Sequence, residues 1–238
     1  MKICVIGNSH VACLKKAWDR MPKLPFELTF FASYASSIVE TTTTASGIQP
    51  RSEQVKASWV TTSDGRDQID FAAYDLIWVH GLGYNLNYFA QLLKQLHELG
   101  ASHALKHEAI VYNNRSSLAI LECMPSEVRA KCIVSFRPNR VSQNNESEAF
   151  DRALLEQLVA EIQQAHEHLG FKATISQPQN TLQSLQYTRP EFSRGAVGLG
   201  KKPPSAGYKD VTEKSAMSHM NAEYGKLLIN EMSSLFKQ

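Results

Sequence analysis

Three short segments of the 238-residue chain carry side chains that together could transfer an acyl group. Near the start, Gly7-Asn8-Ser9-His10 places a serine where an apolar run gives way to an amphipathic one. A serine hydroxyl is a weak nucleophile until a base takes its proton. Near the end, Ser218-His219-Met220-Asn221 supplies a histidine that could be that base. In between, His80-Gly81-Leu82-Gly83-Tyr84-Asn85 combines glycines, which let a backbone approach closely, with an amide that can donate to a developing oxyanion. Each segment also has a purely structural reading: Ser9 as a helix N-cap, the glycines as a turn closed by an Asn cap, His219 as a cap-region histidine. His10 either lines a pocket or lies on the surface of a first helical turn. His80 reads as a hydrogen-bonded structural residue, because buried polar groups find partners. Trp59 and Trp78 read as core, whereas Tyr84 and Tyr187 sit in loops where a ring could stack on a sugar.

These positions depend on the elements that carry them. Residues 2–6 (KICVI), 26–31, 74–79, 131–136 and 171–175 read as strands, the apolar runs suiting a sheet buried on both faces. Helices are expected over 9–21, 86–99, 146–169 and 217–236, from apolar residues at helical spacing closed by Pro or Gly. Residues 58–70 suggest a β-hairpin turning at Asp64-Gly65, 109–112 a short strand and 117–123 a helical stretch. The Ser/Thr-rich 32–51 reads as a functional loop, and 177–210 as a long surface excursion whose Phe192, Val197 and Leu199 need cover. Alternating strands and helices imply a three-layer αβα sandwich around a parallel sheet of about five strands, in one domain spanning 1–238. Ligands of such sheets bind beyond the carboxyl ends of the strands, where Ser9 and the 80–85 segment fall.

The order Gly-x-Ser, Gly-x-Asn, His across the whole chain resembles the SGNH (GDSL-like) hydrolase family, whose fold is flavodoxin-like. Gly7-Asn8-Ser9 stands where the family has its GDS block, Gly83-Tyr84-Asn85 matches the GxN block, and His219 matches the histidine of DxxH. Gly47 is the candidate for the lone glycine of the second block. His219 to Gly225 (HMNAEYG), with Gln177-Pro178 and Tyr187-Thr188, looks like SGNH proteins associated with bacterial surface polysaccharide. The resemblance implies Ser9 as nucleophile, His219 as base, and an oxyanion hole from the Ser9 and Gly47 N–H groups and the Asn85 amide. It further implies His10, Gly83, Tyr84 and Tyr187 near a glycan ester, the chemistry being removal of a short acyl group, acetyl first, with no cofactor and no metal. The family's acid position holds Ala216. Asp210 is the first choice for a displaced acid, ahead of Glu213; a Ser-His dyad, an acyltransferase on the same machinery, and a non-catalytic glycan-binding or assembly protein are the alternatives.

Composition narrows the classes. Hydrophobic residues make up 43% and the formal net charge is +2, so a polyanion or nucleic-acid binder is not suggested. The chain lacks GxGxxG and GxxxxGK[ST], which argues against a nucleotide site, and HExxH, which argues against a zinc hydrolase. Cys4, Cys13, Cys123 and Cys132 lack metal-ligand spacing and read as structural thiols. No apolar run reaches the ~18 residues of a membrane span, and no signal peptide is visible, so a cytoplasmic protein is expected.

Overall fold

Alternation along the apolar strands decides the architecture. In the computed structural model, β1 (Lys2–Gly7) sends Ile3 and Val5 to one face and Cys4 and Ile6 to the other, all fully buried. It is flanked by β2 (Glu27–Ala32) and β6 (Leu76–His80), followed outward by β7 (Cys132–Ser135) and β8 (Ala173–Ile175). Every pairing in this five-stranded sheet is parallel, in the order β2-β1-β6-β7-β8. Counting only these strands, the order is 2-1-3-4-5, that of a doubly wound sheet with its switch point between β1 and β6. The structure describes residues 1–34, 37–82, 86–102, 105, 120, 123–142, 152–199, 208–210 and 218–236. The strand expected at 109–112, most of the helical stretch at 117–123, and the start of the helix expected from 146 lie outside them.

Helices cover both faces. On one side α1 (Val11–Trp18) and α6 (Ala222–Ser234) pack on Ile3, Val5, Phe30, Trp78 and Ile133. On the other, α2 (Glu53–Thr62), α3 (Leu86–Glu98) and α5 (Arg152–His168) pack on Cys4, Ile6, Ile77, Val79 and Val134. The short α4 (Ser126–Arg129) leads into β7. No helix among the described residues is long and apolar enough to cross a membrane. Cys4, Cys13 and Cys132 are buried free thiols, as expected of structural cysteines, while Cys123 is exposed.

Three expectations need correction. The segment expected to be a hairpin over 58–70 is mostly α2. Ser52 caps it by accepting from the Val55 N–H at 3.3 Å, and Val55, Ser58, Trp59 and Thr62 are buried at helical spacing. Asp64-Gly65 does adopt positive φ, 60° and 107°, but as the helix terminator: the Gly65 N–H donates to Val60 O at 2.8 Å. The expected open loop over 32–51 forms β3 (Thr41–Thr43) and β4 (Gly47–Pro50), an antiparallel pair extended by β5 (Ile69–Asp70), which bury Ile48.

The expected surface excursion over 177–210 is, in its described part, largely sewn into the fold. The Gln177 carboxamide accepts from the Asn139 N–H at 2.8 Å and donates to the Thr181 and Thr188 hydroxyls at 3.0 and 2.9 Å. Thr188 Oγ1 donates to Asn139 O at 2.6 Å, so this buried network satisfies its own members. Farther on, β9 (Val197–Leu199) pairs antiparallel with β10 (Tyr208–Asp210), and Val197 and Leu199 bury themselves in the α1–α6 core.

Candidate active site

Ser9 and His219 are brought together from opposite ends of the chain: His219 Nε2 lies 3.0 Å from Ser9 Oγ. Each is held there for a local reason. The chain leaves β1 at Gly7 and enters α1 at Val11, the Val11 N–H donating to Asn8 O at 3.0 Å. Neither Ser9 nor the formal cap residue His10 caps the helix through its side chain, which disposes of the N-cap reading of Ser9. Ser9 is 9% exposed, and its N–H finds no acceptor among the described residues.

Asn8 ties the two sides of the switch point. Its Nδ2 donates to Gly81 O at 2.7 Å, beyond β6, while its Oδ1 accepts the His10 N–H at 3.1 Å. Gly81 has φ +73°, and a Cβ there would lie 2.8 Å from the Cβ of His10, so this position accepts only glycine without displacement.

The HMNAEYG segment assigns one task to nearly every residue. His219 faces Ser9, Met220 is core, and Asn221 caps α6 by accepting the Tyr224 N–H at 3.1 Å. The Asn221 carboxamide also donates to Glu191 O and Arg194 O, at 2.8 and 3.0 Å, fixing the approach to the helix. Tyr224 is fully buried, and Gly225 lets α6 close on α1: a Cβ there would sit 2.2 Å from Cys13 O.

The imidazole of His10 stacks on that of His219, with centroids 5.0 Å apart and planes at 20°. His10 therefore lines the pair rather than the surface. Burial, chiefly, with help from the charges of Arg137, His219 and His80, pushes its pKa well below the usual histidine value. His80 is fully buried and bonded through Nδ1 to Ser135 Oγ at 2.8 Å, the same hydroxyl that accepts from Trp78 Nε1 at 2.8 Å. Burial lowers its pKa to about 3. Both rings are thus neutral at neutral pH and serve as fixed polar walls. Trp59 and Trp78 are core.

Not every expected residue joins. Gly47 is not an oxyanion donor, because its N–H is given to Thr44 Oγ1 at 3.2 Å within the small sheet. Tyr187 is no open platform: it is 5% exposed, and the Arg140 guanidinium covers its ring at 5.7 Å. Gly83, Tyr84, Asn85, Glu213 and Ala216 lie outside the described residues, and of Asp210 only the backbone is described. That backbone pairs with Val197, whose N–H donates to Met220 O at 3.3 Å. Asp210 therefore lies on the strand neighbouring the residue after His219's own.

Two residues went unnoticed in the sequence. Ser33, the first residue beyond β2, donates its N–H to Gly7 O at 3.0 Å and keeps a buried hydroxyl without a partner. Arg137, the second residue beyond β7, lies close enough to perturb His10. Both positions follow core strands at the carboxyl edge, which is the signal that could have found them. A surface cavity among Lys2, Trp18, Leu24 and Phe26 lies at the opposite, amino edge and takes no part in this arrangement. Among the described residues no group of three or more His, Cys, Asp or Glu is arranged to hold a metal ion.

Comparison with known proteins returns nothing: no family model, curated protein or solved structure matches the chain.

Proposed function

We propose that the protein is a serine esterase of the SGNH type that removes a short acyl group, acetyl above all, from a carbohydrate. The observation that carries this reading is the 3.0 Å contact between Ser9 Oγ and His219 Nε2 at the switch point of the sheet. A serine and a histidine 210 residues apart rarely need each other for stability, whereas a nucleophile needs a base within hydrogen-bond reach.

In the proposed mechanism His219 Nε2 takes the Ser9 proton as Oγ attacks the ester carbonyl. Nδ1 then carries the ring's other proton, on the side where Ser218 Oγ lies 3.4 Å away. The carbonyl oxygen becomes an oxyanion, stabilised by the Ser9 N–H and the Asn85 amide; one such donor is typically worth about 2.7–4 kcal/mol. The imidazolium gives its proton to the departing sugar oxygen, which leaves as a hydroxyl. Water, deprotonated by the same nitrogen, then splits the acyl-enzyme and releases the acid. Asp210 is the candidate to orient the imidazole, in place of the acid that Ala216 does not supply.

Hydrolysis of p-nitrophenyl acetate tests the reading. Turnover by the protein, abolished in Ser9→Ala, is the expected result, with Ala216→Asp changing it little because Asp210 already serves the imidazole. Equal rates in the protein, Ser9→Ala and Ala216→Asp would overturn the esterase reading and favour a binding role for the same cleft.

A further inference from the structure

The segment after β7 is built to hold one side chain still. The Phe136 N–H donates to Ile175 O at 3.2 Å, and the Asn139 N–H donates to the Gln177 carboxamide at 2.8 Å. Between these two anchored residues stands Arg137. Its guanidinium is half-buried, and it makes no hydrogen bond or ion pair among the described residues. Burial lowers its pKa, so the charge is partly desolvated, with no anion beside it among the described residues. Such a charge is costly, and side chains that carry one are normally paired.

Its surroundings tell what pairs it. The strand register runs Gly7↔His80↔Ser135, so Arg137 leaves β7 at the same edge where Ser9 leaves β1. Two strand spacings, about 10 Å, separate those strands. The charge of Arg137 is felt by His10, whose ring stacks on His219. A neutral His10, a neutral His80 and a proton-accepting His219 offer no negative charge to the guanidinium.

We propose that Arg137 is an anion subsite beside the Ser9–His219 pair, taking the carboxylate or phosphate of an acidic sugar while its acyl ester is presented to Ser9. The inference rests on the esterase reading for the presented ester, and on Arg137 alone for the anion. A planar fork of donors suits either oxyanion group, and a desolvated site strengthens the contact. An anion bound there also offsets a positive charge close to the place where the imidazolium of His219 forms.

Acetate release from three acetylated methyl glycosides tests this: a glucoside, the matching glucuronoside, and the glucoside 6-phosphate. At least one acidic sugar should exceed the neutral one in kcat/KM by about 10- to 100-fold, the range of one charge-assisted contact. Which of the two does so identifies the anion. Arg137→Met should bring that ratio to within threefold of one, and Arg137→Lys, which keeps the charge but loses the fork, should leave an intermediate ratio. A ratio near one in the unaltered protein, or one that survives in Arg137→Met, overturns the subsite. Should no ester, p-nitrophenyl acetate included, be hydrolysed, the esterase reading fails by itself. Calorimetric titration with the unacetylated sugars then decides: binding of an acidic sugar but not of the neutral one, lost in Arg137→Met, sustains the subsite, and its absence overturns it.

Discussion

Replacing Asn8 by Asp changes one nitrogen to oxygen and tests how the switch point is held together. Asn8 uses both ends of its carboxamide: Nδ2 donates to Gly81 O at 2.7 Å, and Oδ1 accepts from His10 at 3.1 Å. A carboxylate keeps the second contact and strengthens it, because it lies at the start of α1, where a negative charge is worth about 0.3–1 kcal/mol. It cannot make the first, and sets an anionic oxygen against a carbonyl oxygen, costing about 1–3 kcal/mol for an unsatisfied, partly buried acceptor. The loss wins, by about 1–2 kcal/mol, and a chain of this size should unfold roughly 2–8 °C lower at pH 7.5. The sign with pH follows. Only the neutral carboxyl donates to Gly81 O, so its folded pKa lies above the unfolded one, and the bond is present below the unfolded pKa and lost as pH rises through the folded pKa. Melting Asn8→Asp beside the unaltered protein at pH 4 and pH 7.5 reads this directly. The deficit should shrink at pH 4; a variant as stable as its parent at pH 7.5, or equally impaired at both, refutes the argument.

Other outcomes can be stated more briefly. Asp210→Asn should cut ester turnover by on the order of 10²–10⁴, the scale of losing a triad acid, while Glu213→Gln should stay within threefold; the reverse pattern in p-nitrophenyl acetate assays moves the acid to Glu213. Gly225→Ala should cost about 3 kcal/mol or more in urea unfolding, because a Cβ would sit 2.2 Å from a backbone oxygen that cannot step aside. Ser135→Ala should cost about 2–4 kcal/mol in the same measurement, since Trp78 and His80 both lose their partner. His80 and His166 have pKa values pulled down by burial to about 3 and about 4. Their depressed folded pKa means that stability is full above the unfolded value near 6.5 and falls as pH drops toward 4, by about 1.4 kcal/mol per pH unit for each. Thermal melts from pH 7 to pH 4.5 should show this, and His166→Gln should flatten the slope.

Of the five core strands, β1 and β6 were the most legible, because burial on both faces leaves no polar residue in their interiors: Ile3 to Ile6 and Leu76 to Val79 are apolar without a break. Ser9 was legible as the residue that follows β1 at the carboxyl edge of the sheet, whereas His219 follows no core strand and was legible only through the likeness of the 219–225 segment to a family ending. The helix over Glu53–Thr62 was missed because its buried face includes Ser58 and Thr62, whose hydroxyls serve Ala32, and a polar residue breaks the apolar period. Gly47 misled because a lone glycine does not announce where its N–H will go. Tyr187 misled because a loop position does not reveal that Arg140 will lie over the ring. The Gln177–Asn139–Thr188 network was out of reach in principle, since Asn139 lies 38 residues from Gln177 and 49 from Thr188 and the contacts carry no periodicity.

The docking of α6 on α1 bears on how the molecule comes into being. During synthesis β1 and α1 emerge before α6, so the face that α1 turns to α6 stays uncovered until Leu228, Ile229 and Met232 have been made. The contact between Ser9 and His219 spans 210 residues and arrives with that last helix. A nascent chain therefore carries Ser9 for 210 residues before His219, the base proposed for it, has been made. Contacts of such sequence separation form slowly, because the intervening chain must first be ordered. Assembly of the Ser9–His219 pair is thus a late event of folding, and a chain interrupted before α6 would lack the pair and expose the apolar face of α1.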